Sequence, residues 1–178
     1  MTADELARLA QRCLEGCPLT VLGTGASIPY GVGGMEDLRK HLVVELKHRP
    51  IGREPGIQAL LGRLANEDIE RALTDARLPE DQEQEVIRIV WQKVYSDDCQ
   101  MFASIAKGTI RPSLEKLFTH LFTSTRRQIH VVTTNYDRLA EYAANNAGYG
   151  FTNGFTDGYI GTRLAEDSSR ACRYHCEH

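Results

Sequence analysis

The sequence predicts an α/β domain carrying a large all-helical insert, and three observations lead to it. An apolar β-type run, Leu19-Thr20-Val21-Leu22, stops at the glycine loop Gly23-Thr24-Gly25-Ala26-Ser27 and gives way to helical periodicity. A second β-type run, Ile129-His130-Val131-Val132-Thr133, stops at the polar cluster Thr134-Asn135-Tyr136-Asp137. Between the two, residues 57–123 show helical spacing and no strand character.

Length and charge bound the answer. A chain of 178 residues makes one domain with an insert rather than two full domains, and it can bury a core without disulfide or metal staples. Lys+Arg 21 against Asp+Glu 24 gives a net charge of −3, which excludes a strongly basic coat for nucleic acid, and no direct nucleic-acid binding is expected from charge. No apolar run approaches the roughly 18–20 residues of a membrane span. The start, Met1-Thr2-Ala3-Asp4-Glu5, is acidic rather than signal-like, so the expectation is a cytoplasmic protein with no membrane partner. In that compartment Cys13, Cys17, Cys99, Cys172 and Cys176 read as free thiols. The C-x3-C pairs lack zinc-ribbon spacing, and the run from Cys172 to His178 reads as a chain end, so no metal is expected.

Each element has a local signature. Thr2-x-x-Glu5 is a capping box, and Leu6, Leu9, Ala10, Cys13 and Leu14 follow at helical spacing up to Gly16. After the first strand and its loop, glycines at 31, 33 and 34 precede the amphipathic series Met35, Leu38, Leu42 and Leu46; Gly52, Pro55 and Gly56 then break the chain. In the insert, Ile57, Leu60, Leu61 and Leu64 form one stripe and Ile69, Ala72, Leu73 and Ala76 the next. Pro79 opens a long helix with Val86, Ile89, Val90, Val94, Phe102 and Ile105, ending before Gly108; Pro112 opens another with Leu114, Leu117, Phe118 and Leu121. The aromatic and Met residues of the insert are expected in the core. After the second strand a helix is expected over about 138–146. The doublet Phe151-Thr152-Asn153-Gly154, Phe155-Thr156-Asp157-Gly158 reads as turns or a small hairpin, and beyond Gly161 the chain is polar and patternless.

Two loops carry the chemistry. Backbone N–H groups in a glycine loop with a helix N-terminus behind it form an anion site, and glycine permits close phosphate approach; the same loop can equally be a tight turn with no ligand. A Walker loop is excluded because no Gly-Lys-Ser/Thr follows, and the dehydrogenase fingerprint fails because Ile28 stands at its third glycine. Glu45, after Leu42-Val43-Val44, could be the acidic partner of such a fingerprint, but Gly34 to Leu42 leaves too little chain for a crossover helix. In open α/β sheets ligands bind beyond the carboxyl ends of strands, where Thr133, Thr134, Asn135 and Asp137 fall. Asn135 offers a neutral donor and acceptor suited to a ribose hydroxyl or a water, and Asp137 can accept from a carboxamide. One of the two is expected to cap the next helix, which does not exclude chemistry for the other.

Together the loops resemble one family. The segment from Gly23 to Val32 resembles the nucleotide-binding loop of the sirtuin superfamily. Thr133-Thr134-Asn135-Tyr136-Asp137 is similar to that superfamily's second motif, in the form used by sirtuin-like NAD-consuming domains of bacterial antiphage defence systems. The resemblance covers about 20 residues, with the helices between matching only in kind. It implies a Rossmann-like parallel sheet in a domain spanning residues 1–178, with the insert at 57–123 inside it. It implies NAD as substrate, with Gly23, Gly25, Ala26 and Ser27 at the diphosphate and Thr134, Asn135 and Asp137 at the nicotinamide end. Asn135 would position the ribose or the attacking water, and Asp137 would hold the nicotinamide amide. The implied activity is an NAD glycohydrolase, an effector that depletes NAD in antiphage defence, as a homo-oligomer or with a second defence protein or fused domain.

Two departures accompany the resemblance. The four-cysteine zinc module of deacylating sirtuins is missing, which favours hydrolysis over deacylation. The family's catalytic His-Gly, placed on a strand after the Asn motif, has no counterpart. His41, His48 and His120 fall in predicted helices and His130 precedes its strand end; His175, 40 residues past Asn135, is the one plausible stand-in, but it lies in a polar segment without strand period. A catalytically silent module binding NAD or ADP-ribose is therefore the alternative. The same departure predicts that residues 1–178 are the N-terminal part of a longer protein, incomplete at the C-terminus and incompetent for turnover alone.

Overall fold

In the computed structural model, which describes residues 2–15, 19–122, 128–152 and 173–175, the two apolar runs pair as parallel strands. Cys17, Cys172, Cys176 and the Asn153–Gly158 part of the doublet lie outside the described residues. The order is α1 (Ala3–Glu15), β1 (Leu19–Leu22), α2 (Met35–His48), α3 (Pro55–Leu64), α4 (Ile69–Thr74), α5 (Glu80–Ala106), α6 (Ser113–Phe122), β2 (Gln128–Thr133), α7 (Leu139–Asn146), β3 (Gly150–Thr152) and β4 (Arg173–His175). Short 3-10 turns occupy Thr24–Ala26, Ile28–Tyr30 and Pro50–Arg53.

β1 lies beside β2 in a register running from Leu19 opposite His130 to Leu22 opposite Thr133, so both strands end at one edge. β4 joins β2 antiparallel and β3 joins β4 antiparallel, in the order β1-β2-β4-β3. The architecture is mostly helical with a small sheet, and its parallel pair is compatible with an α/β fold. The strand at Arg173–His175 corrects the expectation of a patternless polar tail. Three residues cannot display a period of two; β4 is specified by the backbone groups that β2 and β3 offer to it.

The chain divides into two compact units. The first, Met1–Gly23 with Ser104–His178, holds the sheet, α1, α6 and α7. Helix α1 opens as its capping box requires: the Thr2 hydroxyl accepts the Glu5 N–H at 3.2 Å, and the Glu5 carboxylate accepts the Thr2 N–H at 2.7 Å. Phe118, Leu121, Ile129, Val131, Leu139, Ala143 and Ala144 are buried, and the Phe122 and Tyr149 rings meet at 4.2 Å between centroids.

The second unit, Thr24–Ala103, is helical. Leu38, Leu42 and Leu46 of α2, Ile57, Leu60 and Leu64 of α3, Ile69 and Ala72 of α4, and Val86 and Ile89 of α5 form its core. These are the stripes that the helical periodicity predicts. The turn at Pro50–Arg53 brings the Gly52 backbone so close to the Leu46 carbonyl that no Cβ fits there. Met101 and Phe118 are buried as expected, but Trp91, Tyr95 and Phe102 are 60%, 44% and 47% exposed, which corrects the expectation for these three aromatics. At 100° per residue, Ile87, Trp91, Tyr95 and Phe102 share one side of α5, while Val86, Ile89, Val90 and Val94 supply the side that meets the core. The Trp91 and Tyr95 rings stack at 4.9 Å between centroids and 8° between planes.

Arg49 ties α2 to α5 through ion pairs with Glu45 and Glu85, both at 2.8 Å. The Arg49 guanidinium holds the Glu45 carboxyl below its usual range; Arg88, then Arg49, do the same for Glu85. A carboxyl lowered in the folded state adds stability above its unfolded pKa and loses it as pH falls through the folded value. Arg49→Met should therefore flatten the fall in Tm between about pH 5 and pH 3. Thermal denaturation across that range checks it, and an acid limb identical to wild type would refute it.

Candidate functional site

The shared edge of β1 and β2 is built in steps from the first unit. The Thr134 N–H donates to the Leu22 carbonyl at 3.3 Å, carrying the parallel ladder one residue past β2. The Thr133 hydroxyl then accepts the Asn135 N–H at 3.0 Å, which turns the chain away from the sheet. This turn lets the Asn135 carboxamide donate through Nδ2 to the Gly23 carbonyl at 3.0 Å. The first residue of the glycine loop is thus held by a residue 112 positions further on. Asp137 is buried, and its carboxylate accepts the Leu139 N–H at 3.0 Å, so Asp137 is the residue that organises the start of α7. Thr134 and Tyr136 are exposed.

The remainder of the glycine loop belongs to the second unit. Successive turns are closed by Ser27 N–H to Thr24 O at 3.0 Å, Tyr30 N–H to Ser27 O at 2.9 Å and Gly31 N–H to Ile28 O at 3.0 Å. Gly25 is exposed, Ala26 is half-buried and Ser27 is 1% exposed. Gly31 sits at φ +88°, a backbone conformation that favours glycine. Gly23 and Gly25 are different: neither has positive φ, and a Cβ at either would meet nothing within 4 Å. The protein's own packing does not call for glycine at 23 or 25.

At the end of the same segment two further amides are taken by carboxylates. Gly34 N–H donates to Asp37 Oδ2 at 3.2 Å, completing the start of α2, and Gly33 N–H donates to Asp97 Oδ2 at 3.2 Å. Asp97 also receives Lys93 Nζ at 2.6 and 2.7 Å on its two oxygens. Sequence reasoning missed Asp97 and Lys93. The available signal was a carboxylate at 97, three residues after Val94 and four before Met101, where the stripe would carry an apolar side chain.

Other candidates separate cleanly. Glu45 lies inside the continuous helix α2 and pairs with Arg49, so no second strand exists at 42–44 and the dehydrogenase reading falls. His41 and His48 are on α2, His120 is on α6, and His130 is inside β2. The backbone of His175 pairs with Gln128, at the amino end of β2, roughly 16 Å along the strand from Thr133. No histidine of β2 or β4 therefore stands at the carboxyl edge. Among the described residues no group of three His, Cys, Asp or Glu is arranged to hold a metal ion, and no helix is long and apolar enough to cross a membrane. The chain matches no protein-family model, no curated protein and no solved structure.

Proposed function

We propose that the protein binds NAD at the glycine loop and the Thr-Thr-Asn-Tyr-Asp turn, in a Rossmann-like setting, and cleaves its N-glycosidic bond. The observation that carries this reading is the open, unforced glycine pair at 23 and 25, directly after a strand whose parallel neighbour supplies Asn135. With no packing reason for glycine, close approach of a diphosphate to bare backbone is the remaining physical reason. Ser27 contributes through the turn that its backbone closes. Thr134, Asn135 and Asp137 meet the nicotinamide ribose end, Asn135 orienting the ribose or the attacking water. The C1′–N bond breaks with its electron pair going to the pyridinium nitrogen, so nicotinamide leaves neutral and needs no acid. Water then adds at C1′ and loses a proton, giving ADP-ribose. The effector role in antiphage defence, and assembly with further copies or a second defence protein, rest on the sequence resemblance.

A second reading, a silent module for NAD or ADP-ribose, is favoured by the position of His175 beside the amino end of β2 and by carboxyl ends of β1 and β2 that themselves carry no histidine. Calorimetric titration of the full-length protein with NAD and with ADP-ribose, and chromatography for released nicotinamide, separate the two. Binding with release supports the hydrolase; binding without release supports the module; no binding of either ligand refutes both. Gly25→Val should weaken NAD binding at least tenfold, because a branched Cβ takes the space of the diphosphate. Its Tm should stay within a few degrees of wild type, since nothing within 4 Å opposes the new side chain. Equal affinity in the two proteins would return the loop to a plain turn.

A further inference from the structure

We infer that Asp97 is the positioning residue of the glycine-rich segment, fixing its far end against α5 so that the nucleotide loop is ordered before a ligand arrives. The inference rests on the NAD reading above and adds to it a residue 64 positions from the amide it holds.

The position is a costly one for a carboxylate. Asp97 is 8% exposed, in the interior of a 27-residue helix, where Asp is a poor helix former and a buried charge needs partners. Lys93 supplies the charge partner, one turn earlier, but a cation placed N-terminal to an anion is the less favourable order along a helix. Helix energetics therefore do not account for the pair. What the carboxylate does hold is the Gly33 N–H. Gly33 is the one of these glycines that its packing fits closely: a Cβ there would lie 3.1 Å from the Asp37 Cβ and 3.5 Å from Asp97 Oδ2.

The geometry gives this contact leverage. From Thr24 to Gly31 the chain is a string of short turns closed by local backbone bonds, and Val32 to Gly34 lead from it into α2. Such bonds join residues only three positions apart, so they shape the string locally. Asp97 connects the string's end to a long helix, and a loop held in its binding conformation loses less entropy when ligand binds. Lys93, by donating to both carboxylate oxygens, holds the Asp97 side chain in place and aimed at the amide.

The test uses the double variant Lys93→Met with Asp97→Leu, which removes the whole ion pair. Replacing a buried pair by apolar groups of similar size is often neutral or stabilising, so the fold should survive. Without ligand, amide hydrogen exchange at Gly33 should rise roughly tenfold, while amides of Leu60 and Leu64 in α3 stay protected. The Kd for NAD should rise tenfold or more with the Tm unchanged. Asp97→Asn, which keeps an acceptor for the Gly33 N–H, should hold the Kd within about threefold of wild type. Unchanged exchange at Gly33 overturns the inference. So does raised exchange with unchanged NAD affinity, because then the tie is structural and does not position the loop. If the wild-type protein binds no NAD, the proposed function fails separately, and the exchange result still decides whether Asp97 orders the segment.

Discussion

Asn135→Ala in the full-length protein should lower nicotinamide release from NAD by roughly 10²-fold or more while leaving the fold intact. The expectation follows from where the carboxamide sits. It leaves the sheet at the Thr133 turn and donates to the Gly23 carbonyl, so it stands at the strand edge where, on the proposed function, the ribose would lie. Misplacement of a positioning group by about 1 Å is enough for a loss of that size. The Gly23 carbonyl is not sealed from solvent, so water can replace the lost donor, and the stability cost should stay near 1 kcal/mol. Turnover followed by chromatography, with circular dichroism to verify folding, gives the comparison. A folded Asn135→Ala protein with undiminished turnover would remove Asn135 from the mechanism.

Gly52→Ala should destabilise the protein by about 3 kcal/mol, the upper end for overpacking, and lower its Tm by roughly 6–12 °C. A Cβ at this buried position would collide with the Leu46 carbonyl, which belongs to the helix backbone and cannot turn aside as a side chain would. The Gln58 side chain also donates to the Gly52 carbonyl, so the turn is held from both sides. Gly62→Ala makes the same chemical change with the opposite sign. Gly62 is exposed inside α3, a Cβ there meets nothing within 4 Å, and the gain in helix propensity should add about 0.5–1 kcal/mol. Thermal melts of the two variants in one buffer check both signs. Equal shifts would mean that the close approach at Gly52 does not constrain the fold.

Much of this fold was legible because its signals are local. Thr2 and Glu5 specify the start of α1 by reciprocal bonds within one turn, and Pro79 marks the start of α5 because proline suits a first helical turn. The stripes of α2 to α4 are readable because each buries one face. What escaped is set by partners distant in sequence. Trp91, Tyr95 and Phe102 look like core residues by type, but the core side of α5 was already filled by valine and isoleucine. β4 carries no pattern of its own and exists through its neighbours. At the candidate site, the sequence located Asn135 and Asp137 together and expected one of them to cap α7; the helix opens at Arg138 with no side-chain cap bond, and Asp137, one residue earlier, accepts the Leu139 N–H. Asp97 was invisible because its meaning lies in an amide 64 residues away.

The parallel pairing of β1 with β2 has a consequence for the birth of the molecule. Leu19 waits for His130, about 110 residues later. Closing a flexible loop of that length costs roughly 4 kcal/mol in chain entropy, so the pairing is a late, non-local event. The second unit lies wholly inside the loop and carries its own core, so it can condense while the strand partners are still apart. During synthesis at about 5–20 residues per second, β1 emerges roughly 5–20 s before β2 has been made. For that interval Leu19, Val21 and Leu22 have no sheet to join. Their protection is brevity: a four-residue strand ending in a glycine loop is shorter than the six or seven residues from which self-templating β-stacks are commonly built.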